Sequence, residues 1–574
     1  MLRGFYFYLF LQCAICISAF SQSAFIVPLP DGPQLRWQRY EQSMFVHFCA
    51  ATWQGREKDN HSTPLSRINP AMLNTDQWCE TAISWGAKMI VFVAKHTGGF
   101  CWWQTSTTSY GIKDTPWRGG KGDVLKDLSE SCRKYGLGLG VYVYPGDNTW
   151  GAGIGSGGIT SDPSKQEAYN KVFRQQLTEV LTNYGPMQEV WFDGSCKIKV
   201  DDILEKYASD AVIFQGPMAT IRWVGSEDGS APFSNWYTLR NEDLRTGIAT
   251  AVQSDPFGDA YAPVEVDVPL LKNKGHKWFW APSTDSLILS TSQLMEIYYK
   301  SVGRGAVLLL NSTPDTTGLI PASHVAAYTA FGEEIKRRFS DPLGSAKGEG
   351  KSIEIQFGEP VMVNHAIIQE DIAKGQRVLE FEVSGMNPEG KWMTLYKGTS
   401  IGHKKICFFS PAFVKTLKID FMNVKDLPQI LNFSAFFVDG VTMKPEMKND
   451  ISKFWSGLTK KQDPGTADQF VSVATLELNR RWMKVETDIT KYLRDIGQYE
   501  LRITSDEGIP EFRDWEMELY VSRSRNNVEY LGKNTFRITR SQQTLDEFPS
   551  VFHVRMRSAT GKCTGNMEIR RIKY

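Results

Sequence analysis

The sequence predicts a multidomain α/β plus all-β protein, with a (β/α)8-like barrel over 24–339 followed by two β-sandwich domains, over 340–440 and 441–574. Three observations predict it. From about Met44 to Phe339, apolar runs of strand length alternate with segments of helical periodicity. Those runs are apolar throughout, as in a parallel sheet covered on both faces. Beyond 340 the pattern changes to short alternating strands separated by Gly, Asn and Pro turns.

Met44-Phe45-Val46-His47-Phe48 reads as the first strand. Thr75 caps a helix through Trp78, Ala82 and Trp85, and Lys88 to Ala94 is the second strand. Val124, Leu125, Leu128, Cys132 and Tyr135 recur at helical spacing until Gly136 stops the helix, and Leu137 to Tyr144 is the third strand. A helix from Tyr169 to Tyr184 leads into Val190 to Asp193, the fourth strand. A helix near Asp202 to Tyr207 precedes a strand at Ala211 to Phe214. Further on, Thr291 to Val302 is helical, Ala306 to Asn311 is a buried strand, and Pro321 to Arg338 closes the barrel. Downstream, Ile353-Ile355-Phe357, Leu379-Phe381-Val383 and Leu417-Ile419-Phe421 alternate with polar residues, as do Leu501-Ile503 and Val554-Met556.

The N-terminus reads as a signal peptide over 1–23. Arg3 is its basic region, Phe5 to Phe20 its apolar stretch, and cleavage falls near Gln22 or Ser23. The mature chain is expected to be exported, periplasmic or extracellular, with no membrane span after cleavage. Cleavage removes Cys13 and Cys16. The other cysteines are odd in number and scattered, which predicts buried thiols and no disulfide framework. No Cys/His spacing resembles a zinc site, and neither a metal nor an organic cofactor is predicted. A net charge of +1 supplies no field that would draw the chain to nucleic acid. The run Gly151 to Gly158 lacks the strand–GxGxxG–helix register of a nucleotide loop and reads as a βα loop or lid beside the site.

Polar residues cluster at the C-terminal ends of the predicted strands: His47, then Lys95 and His96, then Tyr142, Tyr144 and Asp147, then Asp193. Asp193 alone could be a turn cap, but four successive strands point to the functional rim of a barrel. There is no Ser/His/Asp order and no phosphate loop. Carboxylates among histidines and aromatics remain, the residue set of glycoside hydrolysis, in which one carboxylate attacks the anomeric carbon and a second protonates the leaving oxygen.

These stretches resemble the α-L-fucosidases of glycoside hydrolase family 29, in particular the branch acting on α-1,3/1,4-linked fucose. The matching residues include His47, Asn69-Pro70, Gln77-Trp78, Ala94-Lys95-His96 and Val190-Trp191-Phe192-Asp193-Gly194. Arg222-Trp223-Val224-Gly225 with Glu227, Glu265-Val266-Asp267, Trp278-Phe279 and Leu309-Leu310-Asn311 match as well, so the resemblance spans about 40–335. It implies a retaining double displacement with Asp193 as nucleophile and Glu227 as acid/base, Glu265 being the rival. It places His47, Glu57, Lys95, His96, Tyr142, Trp191, Trp223 and Trp278 at the sugar of an oligosaccharide or glycoconjugate. The chain also departs from the pattern. It has Lys95-His96-Thr97-Gly98-Gly99-Phe100 where the family reads Lys-His-His-Asp-Gly-Phe, and Lys58-Asp59 after Glu57 where the family has Trp-Gly. The loop 270–277 differs too. Thr97 leaves α-L-galactosidase action on the same scaffold as an alternative, and a catalytically degenerate glycan-binding protein is a second. Residues 340–440 resemble a discoidin-like sandwich that binds glycan or braces the barrel.

Overall fold

The computed structural model describes residues 27–194, 196–244, 254–272, 277–445, 471–478, 480–489, 497–505, 510–519, 522–524, 528–540, 550–560 and 563–572. The predicted signal peptide over 1–23 and the loop residues 273–276 lie outside these. No described helix is long and apolar enough to cross a membrane.

Eight parallel strands form the first sheet: β1 (Gln42–Val46), β2 (Met89–Lys95), β3 (Gly138–Val143), β4 (Glu189–Trp191), β5 (Val212–Phe214), β6 (Arg222–Trp223), β7 (Val264–Pro269) and β8 (Val307–Ser312). Their order is β5-β4-β3-β2-β1-β8-β7-β6. A parallel bridge between Phe214 and Ile221 links the two ends, so the sheet is a nearly closed barrel. Two apolar clusters explain the continuously apolar strands. Met44, Val46, Ile90, Phe92 and Leu310 face outward onto the helices. Phe45, Val91, Val93, Tyr142, Trp191, Phe214 and Leu309 fill the interior.

The helices that carry these strands are α1 (Thr75–Ser84), α2 (Val124–Tyr135), α3 (Gln166–Asn183), α4 (Asp201–Tyr207), α5 (Thr291–Lys300) and α6 (Ala322–Phe339). Gly136 ends α2 in the left-handed region at φ 68°, as its position predicts. The cap of α1 is one residue earlier than expected. The Asn74 side chain accepts from the Asp76 and Gln77 backbone amides, while the Thr75 hydroxyl bonds Ser131 at 2.8 Å instead. Cys49, Cys79, Cys101, Cys132, Cys196 and Cys407 are buried free thiols, and Cys563 is half-buried.

Downstream, a six-stranded antiparallel sheet runs in the order 344–349, 429–436, 352–370, 405–424, 378–386, 392–398. Its two long strands shift register between Gln356 and Val361 and again between Val363 and His365, irregularities that bend a strand. Antiparallel sheets of five and four strands follow, and Leu501, Phe536, Val554, Met556 and Ile569 from both pack into one core. The six-stranded sheet is tied to the barrel by polar contacts. Tyr299 Oη lies 2.8 Å from His365 Nε2, and Glu41 bonds His403 Nε2 at 2.9 Å and Lys404 Nζ.

Candidate active site

The C-terminal end of the barrel gathers most of the predicted residues. Asp193 lies two residues beyond β4, in a turn completed by Gly194 at φ 68°, a conformation that favours glycine. Its Oδ2 accepts from Tyr142 Oη at 3.0 Å. Burial pushes the Asp193 carboxyl up to about 6, with Tyr142 opposing the rise and Glu227 adding to it. Glu227 lies beyond β6, and its Oε2 accepts from Trp278 Nε1 at 3.3 Å. The Trp278 backbone amide donates to Glu57 Oε2 at 2.7 Å, and its carbonyl accepts from Asn311 Nδ2 at 2.9 Å. Glu57 therefore holds the indole that contacts Glu227.

His47 and His96 adjoin the two aromatic residues that hold these carboxylates. His47 Nδ1 is 2.8 Å from Asn311 Oδ1, and its ring lies 4.9 Å from Trp278. His96 stacks on Tyr142 at 5.7 Å, with Phe279 edge-on at 5.0 Å. Burial holds His47 well below the usual histidine range, His96 adds to the fall and Asn311 opposes it. Burial likewise takes His96 down to about 4, against the pull of Asp59. Both imidazoles are held neutral near pH 7; the Nδ1 proton of His47 goes to Asn311 Oδ1, which leaves its Nε2 as an acceptor.

Two predicted residues lie elsewhere. Lys95 is fully enclosed between β2 and α3, with Nζ 3.0 Å from Asp147 Oδ2, 3.0 Å from Gln176 Oε1 and 3.2 Å from Tyr169 Oη. Asp147 in turn caps the turn that opens the glycine-rich loop, accepting from the Thr149 amide at 2.9 Å. Glu265 is completely buried inside the barrel. Its Oε1 accepts from Trp191 Nε1 at 2.8 Å, and it lies near the buried carboxyl of Glu189, which accepts from Trp37 Nε1 at 2.8 Å. Burial and then Glu189 hold Glu265 well above the carboxylate range. It lies one layer below the Asp193 turn, beneath Trp191, whose ring stacks on Phe214 at 3.8 Å and Tyr142 at 5.3 Å.

The glycine-rich loop does flank the site. The Gly155 amide donates to Tyr144 Oη at 2.9 Å, and Gly155 Cα is 3.8 Å from where a Cβ on Gly194 would lie.

Two carboxylates were not singled out from sequence. Asp267, two residues above Glu265 on β7, is 4% exposed and accepts from Trp223 Nε1 at 2.5 Å. The alternation Glu265, Asp267 along one strand was its signal. The other is Asp59, which explains a departure in the second-strand motif. A Cβ at Gly98 would lie 2.0 Å from Asp59 Oδ2. The Asp59 carboxylate thus occupies the space of a side chain at 98, and it accepts from Gln54 Nε2 at 2.7 Å, the His61 amide at 2.8 Å and Tyr110 Oη at 2.8 Å. The neighbouring Thr97 hydroxyl is buried, 3.3 Å from His96 Nδ1.

Comparison with known proteins agrees with this geometry. The α-L-fucosidase family profile matches residues 31–338. A crystal structure from Bacteroides thetaiotaomicron VPI-5482, of a protein to which α-L-fucosidase activity is ascribed, is 34% identical with a TM-score of 0.68, covering 72% of this chain and 100% of that one. α-L-Fucosidase 1 of Arabidopsis thaliana is 29% identical over 432 residues, 67% of this chain and 82% of the plant protein.

Proposed function

Because the chain belongs to the α-L-fucosidase family and is a glycoside hydrolase, we propose that it removes terminal α-L-fucose, or a closely related L-sugar, from glycans by retaining double displacement. The observation that carries this reading is the placement of Asp193 on Tyr142 and of Glu227 on Trp278 at one end of the barrel. Ionised Asp193 attacks the anomeric carbon, the bond to the leaving oxygen breaks, and Glu227 gives that oxygen its proton. Glu227 then takes a proton from water, whose oxygen attacks the same carbon and frees Asp193. Neutral His47 and His96 take sugar hydroxyls, and Trp278 covers the ring. The resemblance around Arg222 to Glu227 supports the α-1,3/1,4 branch, and the leader at 1–23 supports export to the periplasm or beyond. The polar ties between Glu41 and His403 and between Tyr299 and His365 support a bracing role for the discoidin-like segment 340–440.

Thr97 favours a second reading. It is shorter than the histidine of the family motif and is turned toward His96, which leaves room for a substituent that fucose lacks and makes an α-L-galactoside the alternative substrate. Turnover of aryl α-L-fucoside and aryl α-L-galactoside by the wild type and by Asp193→Asn tests both readings. Asp193→Asn is expected to lose nearly all turnover while keeping its melting transition. Wild-type turnover in that variant removes the nucleophile assignment, and binding without turnover in the wild type favours a degenerate glycan-binding protein.

A further inference from the structure

Resting on that reading of the site, we propose that Asn311 is a positioning residue that sets substrate specificity: its side-chain amide holds the His47 proton on Nδ1, so that Nε2 meets the sugar as an acceptor and demands an unsubstituted hydroxyl there.

Three groups in series supply the geometry. Asn311 is the penultimate residue of β8 and is fully enclosed. Strand pairing fixes its backbone, as the register partner of Phe45 on β1 and of Pro269 on β7. Its carbonyl also accepts from Tyr328 Oη on α6. The His47 amide donates to the carbonyl of the next residue, Ser312, at 3.0 Å, so the two side chains leave neighbouring strands at one level. Asn311 Nδ2 donates to the Trp278 backbone carbonyl at 2.9 Å. A carbonyl only accepts, so that contact fixes which end of the amide is nitrogen. Oδ1 is left facing His47 Nδ1 at 2.8 Å. An amide oxygen donates nothing, so the ring nitrogen it meets carries the proton. Burial first and His96 second keep the imidazole neutral, against the pull of Asn311, and a neutral ring has a single ring proton. Nε2 therefore presents a lone pair, and it has no hydrogen-bond partner among the described residues. The ring stands 4.9 Å from Trp278, whose indole donates to Glu227. A sugar hydroxyl satisfies Nε2 by donating to it. An ether, ester or sulfate oxygen at the same point sets one lone pair against another, and the buried acceptor goes unpaired. The site thus selects an L-sugar whose hydroxyl facing His47 is unsubstituted.

Two measurements test this. The first is the nitrogen-15 spectrum of the histidine rings near pH 7, with His47→Gln identifying the His47 signals. The expected spectrum has Nδ1 protonated and Nε2 bare in the wild type, and at least part of the proton moved to Nε2 in Asn311→Leu. A wild-type ring protonated on Nε2 overturns the proposal. The second is kcat/KM on aryl α-L-fucosides in which each sugar hydroxyl in turn is replaced by fluorine, which cannot donate. At one position fluorine should cost the wild type at least about tenfold more than it costs Asn311→Leu. The electronic effect of fluorine is common to both proteins, and a purely structural loss lowers every substrate alike, so both cancel in the comparison. Equal costs at every position overturn the proposal. Should Asn311→Leu fail to fold, His47→Gln replaces it in the fluorine series, and the wild-type ring spectrum still decides where the proton lies. A wild type that turns over no aryl α-L-fucoside defeats the fucosidase reading, while the ring spectrum continues to decide the role of Asn311.

Discussion

A side chain at position 98 and the carboxylate of Asp59 should exclude each other, and that exclusion is measurable. Gly98 is not in the left-handed region, so its backbone tolerates a side chain and the obstacle is space alone. An added Cβ would sit 2.0 Å from Asp59 Oδ2, 2.5 Å from Cγ and 2.6 Å from Cβ. No small shift relieves three such contacts, so Gly98→Ala must expel the Asp59 carboxylate. The expelled group abandons its bonds to Gln54, the His61 amide and Tyr110. Hydrogen bonds to a charged group are worth about 1.5–3 kcal/mol each, less whatever water restores, so the expected cost of Gly98→Ala is about 3 kcal/mol. Asp59→Ala alone should cost a similar amount. The double variant Asp59→Ala, Gly98→Asp returns a carboxylate to the same space from the turn after β2. It should recover at least about 2 kcal/mol relative to the sum of the single effects of Asp59→Ala and Gly98→Asp. Denaturant unfolding of the wild type, Asp59→Ala, Gly98→Asp and the double variant gives the coupling energy, with Gly98→Ala measured beside them, and hydrolysis by each shows whether the wall that carries His96 is rebuilt. A Gly98→Ala protein as stable as the wild type, or strict additivity in the double variant, refutes the reasoning.

Glu227→Ala should cripple hydrolysis of poor leaving groups, partly spare aryl substrates and be rescued by azide, which needs no base; Glu265→Ala should show no azide rescue and lose stability, since it strands Trp191 Nε1. Azide rescue at position 265 instead would exchange the two roles. The acidic limb of kcat/KM should fall near pH 6, because Asp193 must be ionised and its carboxyl is pushed up to about 6; a pH profile flat down to pH 4 contradicts this. Glu41 is held at about 2; burial raises it, and Lys404 and His403 outweigh that rise. Its depression from 4.5 to about 2 corresponds to about 3 kcal/mol of stability. That stability is present above the unfolded value and lost as pH falls through the folded one. Glu41→Gln should therefore lower the melting temperature at pH 7, with the difference from wild type vanishing toward pH 2.

The sequence by itself determined the barrel and the end of it at which the candidate site residues gather. Strands such as Met89–Lys95 and Val307–Ser312 are apolar on both faces because one face meets the helices and the other the interior, and that pattern is legible residue by residue. It also exposed Asp193, His47 and His96, because polar residues that end apolar runs stand out. β6 and β7 were not legible as strands. β6 spans two residues, too few for a period. β7, Val264–Pro269, turns Glu265 and Asp267 inward, and acidic alternation reads as an exposed edge unless the barrel around it is known. Only the tertiary structure separated Glu265 from the mouth, sent Lys95 to its cage with Asp147, and laid Asp59 over Gly98. Local sequence fixes where a side chain leaves the backbone, but distant strands and loops decide which partner meets it there. Burial and neighbouring charge, which set the protonation of these acids, belong to that assembled neighbourhood and not to any one segment.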